Sequence, residues 1–404
     1  MNCGLLGRKL GHSYSPQIHE NLGDYSYTLF EQEPGEVKDF LENSDFDGIN
    51  VTIPYKKDVM PYCHYLSDTA QKIGAVNTIV RRNGQLLGHN TDYFGFSSMV
   101  TRSGLMVGGK KVLVLGSGGA SVTAQAVLKE MGAKVVVISR SGENNYDNLE
   151  LHKDACCIVN CTPVGMYPNN GVAPVDLSLF PALEGVLDMI YNPAKTTLLL
   201  DAEKRGLVTM NGLWMLVAQA KESAEWFLNR KLSDDLIEEI HNKLEVQMKN
   251  IVLIGMPGCG KTTVAECLSR MLAREVLDSD RLIEEMAGCP IPEIFEKYGE
   301  AGFRTYETEV LEKLGKLSGK VISTGGGCVT MEANLDVLHQ NSIVVWLQRE
   351  LANLPTEGRP LSKQLGVGEI FRIREPMYRK FAHIIVDNNG DPNDTAKAII
   401  AQLK

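Results

Sequence analysis

The eight residues Gly255-Met256-Pro257-Gly258-Cys259-Gly260-Lys261-Thr262 fit GxxxxGK[ST] and directly follow the apolar run Asn250 to Ile254. In this pattern the backbone N–H groups of Gly258, Cys259, Gly260, Lys261, Thr262 and Thr263 wrap phosphates. Lys261 reaches the β and γ oxygens and the Thr262 hydroxyl takes Mg2+, so the loop predicts a nucleoside triphosphate, ATP, as phosphoryl donor. The next strand-like run ends in Asp278-Ser279-Asp280. Two carboxylates two residues apart share a face of an extended segment, so one suits the metal side and the other an acceptor.

A second phosphate loop lies upstream. Gly116-Ser117-Gly118-Gly119-Ala120-Ser121 follows the apolar run from Lys111 and opens a helix-patterned stretch. Backbone N–H groups and the helix dipole there favour a pyrophosphate, although Ser121 stands where GxGxxG has its third glycine. At the end of the following strand, Ser139-Arg140-Ser141 replaces the acidic residue that would accept from a ribose 2′-hydroxyl. An arginine flanked by hydroxyls suits a 2′-phosphate, which favours NADP over NAD.

Several polar clusters each close an apolar run: His12-Ser13-Tyr14-Ser15-Pro16, Asn50-Val51-Thr52-Ile53-Pro54-Tyr55-Lys56, Gly74-Ala75-Val76-Asn77-Thr78 and Gly88-His89-Asn90-Thr91-Asp92. Singly they read as ordinary features. Ser15 is expected as an N-cap with Pro16 at N1, Lys56 as a surface lysine and Asp92 as a helix cap.

Short apolar runs alternate with longer helix-patterned stretches, the mark of parallel α/β sheets. The expected fold class is therefore α/β in three parts. Residues 1–91 read as a mixed α/β unit with strands near Tyr27 to Glu31, Gly48 to Ile53 and Ala75 to Val80, and a hairpin turn at Asn83-Gly84. Residues 92–212 read as a Rossmann NADP-binding unit. Only a short stretch separates Arg140 from Asn160, which predicts a reduced or missing edge strand. Leu213 to Leu244 reads as helical and completes the first unit through residue 247, with a polar connector near Asn242 to Lys249. Residues 248–404 read as a P-loop kinase unit, and Met248-Lys249-Asn250 resembles a former start site.

Composition narrows the function classes. With 41 basic against 50 acidic residues the net charge is −9, so a nucleic-acid binder resting on phosphate neutralisation is disfavoured. No run of 18 or more apolar residues occurs, and the start Met-Asn-Cys-Gly-Leu-Leu-Gly-Arg lacks a long apolar centre, so no membrane span or export is expected. The nine cysteines lie mostly in apolar runs without paired CxxC spacing, which favours reduced thiols in the cytoplasm over disulfides or a zinc site.

Taken in order, the clusters from Met1 to about Leu244 resemble shikimate dehydrogenase. Further matches are Asn160-Cys161-Thr162-Pro163-Val164-Gly165-Met166, Asp188-Met189-Ile190-Tyr191-Asn192-Pro193, and Asn211-Gly212 through Gln219-Ala220. The resemblance implies reduction of 3-dehydroshikimate to shikimate. Ser13 and Ser15 would meet the substrate carboxylate, Thr52, Asn77, Tyr191 and Gln219 the ring hydroxyls, and Gly212 would join the cofactor loop. Lys56 and Asp92 would be the catalytic pair: hydride delivery to a ring ketone creates an alkoxide, which a nearby ammonium can protonate while a carboxylate orients it.

Residues 249 to 404 resemble shikimate kinase through the P-loop, Asp278-Ser279-Asp280, Phe303-Arg304-Thr305-Tyr306-Glu307, Thr324-Gly325-Gly326-Gly327, Gly358-Arg359-Pro360-Leu361 and Arg374-Glu375-Pro376-Met377-Tyr378. That resemblance implies Asp280 at the accepting hydroxyl and Asp278 at Mg2+ through water. It places Arg304 and Arg374 on the carboxylate, Gly325, Gly326 and Gly327 beside the ring, and Arg359 on a lid. The expectation is a bifunctional enzyme in which shikimate made by the first half is phosphorylated at its 3-hydroxyl by the second. The alternatives are an NAD-using quinate/shikimate dehydrogenase joined to the same kinase, and a non-catalytic dehydrogenase-like sensor regulating it.

Overall fold

The computed structural model describes residues 1–11, 13–354 and 366–403. Its sixteen described strands are β1 (Asn2–Gly7), β2 (Ser26–Glu31), β3 (Gly48–Val51), β4 (Tyr65–Leu66), β5 (Thr78–Arg82), β6 (Gln85–His89), β7 (Lys111–Leu115), β8 (Lys134–Ile138), β9 (Cys157–Asn160), β10 (Gly185–Asp188), β11 (Val208–Met210), β12 (Asn250–Ile254), β13 (Val276–Asp278), β14 (Val321–Ser323), β15 (Ser342–Gln348) and β16 (Ile384–Asp387). They form three sheets, and the chain divides into two compact units. One is Met1–Tyr191 with Leu198–Asn242, the other Asn192–Thr197 with Lys243–Lys404.

The first sheet has the order β2-β1-β3-β5-β6-β4 and is mixed, parallel at β1–β2 and β1–β3 and antiparallel at β3–β5 and β5–β6. Its core is Leu6, Ile49, Val51, Val76 and Ile79. The hairpin turn forms at Asn83-Gly84, with φ of 51° and 77°, the two positive values that a two-residue hairpin of this hand requires. Two expected strands are shorter than read: β3 stops at Val51 and β5 starts only at Thr78. The short helix Asp68–Ile73 ends at Gly74 in the left-handed region, and the chain needs Ala75–Asn77 to turn back into the sheet.

The second sheet, β11-β10-β9-β7-β8, is parallel throughout and buries Leu113, Leu115, Ile158 and Val186. It ends at β8. Between β8 and β9 only the short 3-10 turn Leu149–His152 is regular, so the missing edge strand expected from the short Arg140-to-Asn160 interval is observed. The third sheet, β13-β14-β12-β15-β16, is five-stranded and parallel as expected. All five residues of β12 are buried, which is why the run reads as continuously apolar rather than alternating.

The polar connector expected near Asn242 to Lys249 is instead helical. The helix Asp235–Met248 runs almost to β12, because Ile237, Ile240, Leu244 and Met248 repeat at helical spacing and are all buried, and an apolar stripe of that period is stable only as helix. Among the described residues no helix is long and apolar enough to cross a membrane, and all nine cysteines are free.

Candidate functional sites

In the first unit, Lys56 leaves the end of β3 just after Tyr55, whose fully buried ring fixes the turn through a hydroxyl donated to the Gln32 carbonyl. The Lys56 carbonyl accepts from Val76 N–H at 2.7 Å. Asp92 is the first residue of the helix Asp92–Ser103, preceded by Thr91 in the capping position. Its carboxylate is not spent on capping: Lys56 Nζ donates to Asp92 Oδ2 at 2.6 Å. Both side chains are partly open, 31% and 17% exposed, so the pair is formed yet reachable.

Asn77 and Gln219 are brought to this pair through Thr91. Asn77 Oδ1 accepts from the Thr91 N–H at 2.7 Å, its Nδ2 donates to Thr91 Oγ1 at 3.0 Å, and Thr91 Oγ1 lies 3.3 Å from Gln219 Oε1. Ser15 is not the N-cap. It is the first residue of the helix Ser15–His19 behind Tyr14, and its own N–H donates to Ser13 Oγ at 3.2 Å. Tyr14, between the two serines, meets Tyr191 edge-on with ring centroids 6.2 Å apart. Burial, with Tyr14 adding to it, pushes the Tyr191 phenol above its ordinary value. Thr52 is held by its N–H on the Leu6 carbonyl, its methyl lying where Gly7 lacks a side chain.

The dinucleotide loop lies at the carboxyl ends of β7 and β9, the crevice where ligands of open parallel sheets bind. A side chain on Gly116 would stand 3.0 Å from Thr162, whereas one on Gly118 or Gly119 would meet nothing within 4 Å. That bare space, together with exposed Ser117 to Ala120 at the N-terminus of the helix Gly119–Glu130, fits a pyrophosphate. Ser121, in place of the third glycine, is fully buried and its hydroxyl accepts from Gln125. Arg140 and Ser141 are exposed beyond the end of β8, and Ser139 holds the turn by donating its N–H to the Asn144 carbonyl. Gly212 must lack a side chain, since a Cβ would fall 2.1 Å from the Met189 carbonyl.

In the second unit the P-loop joins β12 to the helix Lys261–Leu272, with Gly255, Gly258 and Gly260 all at positive φ. Lys261 Nζ is buried and donates to the Gly255 and Met256 carbonyls at 3.0 and 3.1 Å. Thr262 Oγ1 lies 3.2 Å from Asp278 Oδ2 and 3.3 Å from Ser323 Oγ. Hydroxyl and carboxylate oxygens are the hard donors that suit Mg2+ beside phosphates. Among the described residues no cluster of three or more His, Cys, Asp or Glu forms an all-protein metal site. Asp278 also caps the helix Ser279–Ala287, accepting from the Asp280 and Arg281 N–H groups.

Asp280 faces inward with Oδ1 buried and unpartnered. Burial raises its carboxyl above the ordinary range, and Asp278 adds to the rise. Arg304, also buried, donates to Glu307 Oε2 at 2.7 Å and Glu300 Oε1 at 3.0 Å, leaving its Nε unpartnered. The three glycines make room for this cluster. A Cβ on Gly325 would lie 2.7 Å from Asp280 Oδ1 and 3.0 Å from Glu307 Oε1, on Gly326 2.6 Å from Pro257, and on Gly327 2.3 Å from Arg304. Arg374 and Tyr378, one turn apart on the helix Val367–Phe381, both donate to the Gly326 carbonyl. Arg359 lies outside the described residues.

Sequence reasoning gave no role to several residues that build these sites. Glu307 stands three after Arg304 on one helix, and Ser223 four after Gln219 on another. These spacings put side chains on one face and were the available signal. Asn388, just past the end of β16, donates to the Cys259 carbonyl at 2.6 Å.

The family described as shikimate kinase matches residues 257–404, and the shikimate dehydrogenase substrate binding domain matches residues 5–79. The shikimate dehydrogenase (NADP(+)) of Clostridium perfringens (strain 13 / Type A) is 36% identical over 264 residues, covering 60% of this chain and 97% of that protein. The crystal structure of shikimate dehydrogenase 1 from Peptoclostridium difficile aligns with a TM-score of 0.56 at 37% identity, over 60% of this chain and 98% of that one. That of shikimate 5-dehydrogenase from Thermus thermophilus, in complex with NADP(H) and shikimate, gives 0.56 at 28% identity over 60% and 99%. The chain therefore belongs to the shikimate dehydrogenase family, and behind that part it carries a shikimate kinase domain.

Proposed function

We propose that this chain is a bifunctional enzyme of the shikimate pathway, reducing 3-dehydroshikimate to shikimate with NADPH and then phosphorylating shikimate at its 3-hydroxyl with ATP and Mg2+. The observation that carries the reading is the 2.6 Å contact between Lys56 and Asp92, in a chain whose P-loop unit holds a separate acceptor carboxylate at Asp280. NADPH supplies hydride when bound. Lys56 Nζ donates the proton that the reduced carbonyl oxygen needs, and Asp92 holds the ammonium in place and accepts from the neighbouring hydroxyl. An intact pair argues against a purely sensory first half.

Gly116 to Ala120, with Gly212, would hold the dinucleotide, and Ser139, Arg140 and Ser141 its 2′-phosphate. Ser13 and Ser15 take the substrate carboxylate, and Thr52, Asn77, Tyr191 and Gln219 the ring. In the kinase half, Gly258 to Thr263 hold ATP, Thr262 and Asp278 face Mg2+, and Asp280 accepts the proton of the attacking hydroxyl. Arg304 and Arg374 grip the carboxylate beside Gly325 to Gly327, and Arg359 stabilises the phosphoryl in transit. The working division is residues 1–91 with 213–247, residues 92–212, and residues 248–404, acting in the cytoplasm with thiols reduced. The test is a coupled assay: 3-dehydroshikimate, NADPH, ATP and Mg2+ should yield shikimate 3-phosphate. Leaving out NADPH should abolish it, and leaving out ATP should stop the sequence at shikimate. Product formed without NADPH, or no NADPH oxidation at all, refutes the reading.

A further inference from the structure

Behind the Lys56–Asp92 pair lies a buried polar cluster that the reaction as described does not use. Its centre is Ser223, fully buried on the helix Leu213–Leu228. Ser223 Oγ lies 2.7 Å from Asn50 Nδ2, 2.9 Å from Thr78 Oγ1, 3.0 Å from Thr91 Oγ1 and 2.9 Å from the Gln219 carbonyl one turn earlier. A serine hydroxyl has one proton and two acceptor sites, so these neighbours saturate it. They come from β3, from β5, from the residue before the Asp92 helix and from the Ser223 helix itself.

The cluster also reaches β2. Asn50 Oδ1 accepts from Tyr27 Oη at 2.7 Å. Tyr27 and Thr91, the residue before Asp92, are therefore joined by one continuous chain: Tyr27, Asn50, Ser223, Thr91. Such a network, in a low local dielectric, has few alternative arrangements in which every member keeps a partner. We propose that Ser223 is a positioning residue for the dehydrogenase reaction, setting Asp92 against Lys56 through Thr91 and tying that pair to Tyr27 of β2 through Asn50. Removing its hydroxyl takes one partner from Asn50 Nδ2, which keeps Thr78 Oγ1, and one from the Thr91 hydroxyl, which keeps Asn77 and Gln219, and so loosens the hold on the first residue of the Asp92 helix.

The inference rests on the dehydrogenase reading, and the experiment separates the two. NADPH-dependent reduction of 3-dehydroshikimate is measured on the full chain as wild type, Ser223→Ala, Ser223→Thr, Thr91→Val and the Ser223→Ala/Thr91→Val double variant, with kinase activity of the same preparation as control. A wild-type chain that oxidises no NADPH refutes the dehydrogenase reading itself. Given activity, Ser223→Ala should lower kcat roughly ten-fold with KM for NADPH unchanged, the effect of one buried hydrogen bond felt at the reacting groups. Ser223→Thr, which keeps the hydroxyl, should recover to within about three-fold of wild type, and the double variant should lose little more than the worse single one. The proposal is overturned if kcat of Ser223→Ala stays within about two-fold of wild type, if Ser223→Thr is no better than Ser223→Ala, or if the two losses multiply. Should Ser223→Ala fail to fold, Thr91→Val severs the same link from the other side, and its kcat within about two-fold of wild type is equally decisive.

Discussion

Glu307 gives the sharpest stability test. Its carboxylate is fully buried and takes Arg304 Nη1 at 2.7 Å, and the Arg304 side chain is only 7% exposed. Burial works against the charge on Arg304, but Glu307 and Glu300 together hold its guanidinium above its ordinary value. In Glu307→Ala the guanidinium keeps only Glu300, which is 52% exposed, so a buried charge loses its main partner, at a cost of about 3–5 kcal/mol. An opposing term reduces this. Glu307 Oε1 and Asp280 Oδ1 converge on the point that a Gly325 side chain would occupy, and burial raises both carboxyls above the ordinary range. Relief of that crowding brings the expected loss to the lower end, about 3 kcal/mol, or roughly 6–12 °C in the midpoint of a domain this size. Glu307→Gln separates the effects: its carbonyl still accepts from Arg304, its amide can donate to the orphaned Asp280 Oδ1, and the change should be under about 1 kcal/mol. The assay is thermal inactivation of kinase activity in the full chain, with dehydrogenase activity as internal reference. A Glu307→Ala midpoint within about 2 °C of wild type, or a Glu307→Gln variant as labile as Glu307→Ala, refutes the reasoning.

Further outcomes are expected elsewhere. Lys56→Ala should lower dehydrogenase kcat by roughly 10²–10⁴-fold, the range for a general acid, while kinase turnover in the same preparation is unchanged; steady-state rates of both halves check this. Gly118→Ala and Gly327→Ala should part company. The first adds a methyl to open space and should leave the melting midpoint unmoved while raising KM for NADPH, whereas the second drives a methyl into Arg304 and should weaken shikimate binding to the kinase, as titration calorimetry can read. Acid should destabilise both units. Burial lowers the pKa of His19, in the first, and of His383, in the second, from the ordinary 6.5 to about 3. Between those values the unfolded chain binds the extra proton, so this stability is complete above pH 6.5 and is lost as pH falls toward 3. Urea midpoints measured across that range should fall on acidification, and His383→Gln should flatten the fall for the kinase transition alone.

Much of this protein was legible in the chain because local chemistry and hydrophobic period carry it. GxxxxGK[ST] after a fully apolar run specifies a strand, a loop of positive-φ glycines and a helix within a few residues of each other, and Asn83-Gly84 specifies its hairpin for the same reason. The missing edge strand could be read from length alone, since the Arg140-to-Asn160 interval is too short for a helix, a strand and another helix. Where reading failed, the failure was also local. The stretch before β12 looked polar, yet four buried apolar residues on one face make it helix.

Tertiary structure decided what depends on side chains far apart in sequence. Taken singly, Lys56 and Asp92 read as ordinary surface and cap residues and were paired only by the resemblance; the packing of β3 against β5 and the helix that starts at Asp92 brings them to 2.6 Å. Ser223 joins Asn50, Thr78 and Thr91 across 132 to 173 positions of chain, and no motif or period can announce a hydroxyl whose partners come from three other elements. The glycines after β14 were expected beside the substrate ring only through the resemblance. In the fold they are empty volume, filled by Asp280, Pro257 and Arg304. Sequence alone thus determined which loops can hold phosphates, because backbone conformation and residue type within a few positions suffice for that. Which carboxylates and cations face a common point was settled by the folded sheets, because that proximity exists only once distant strands are hydrogen-bonded side by side.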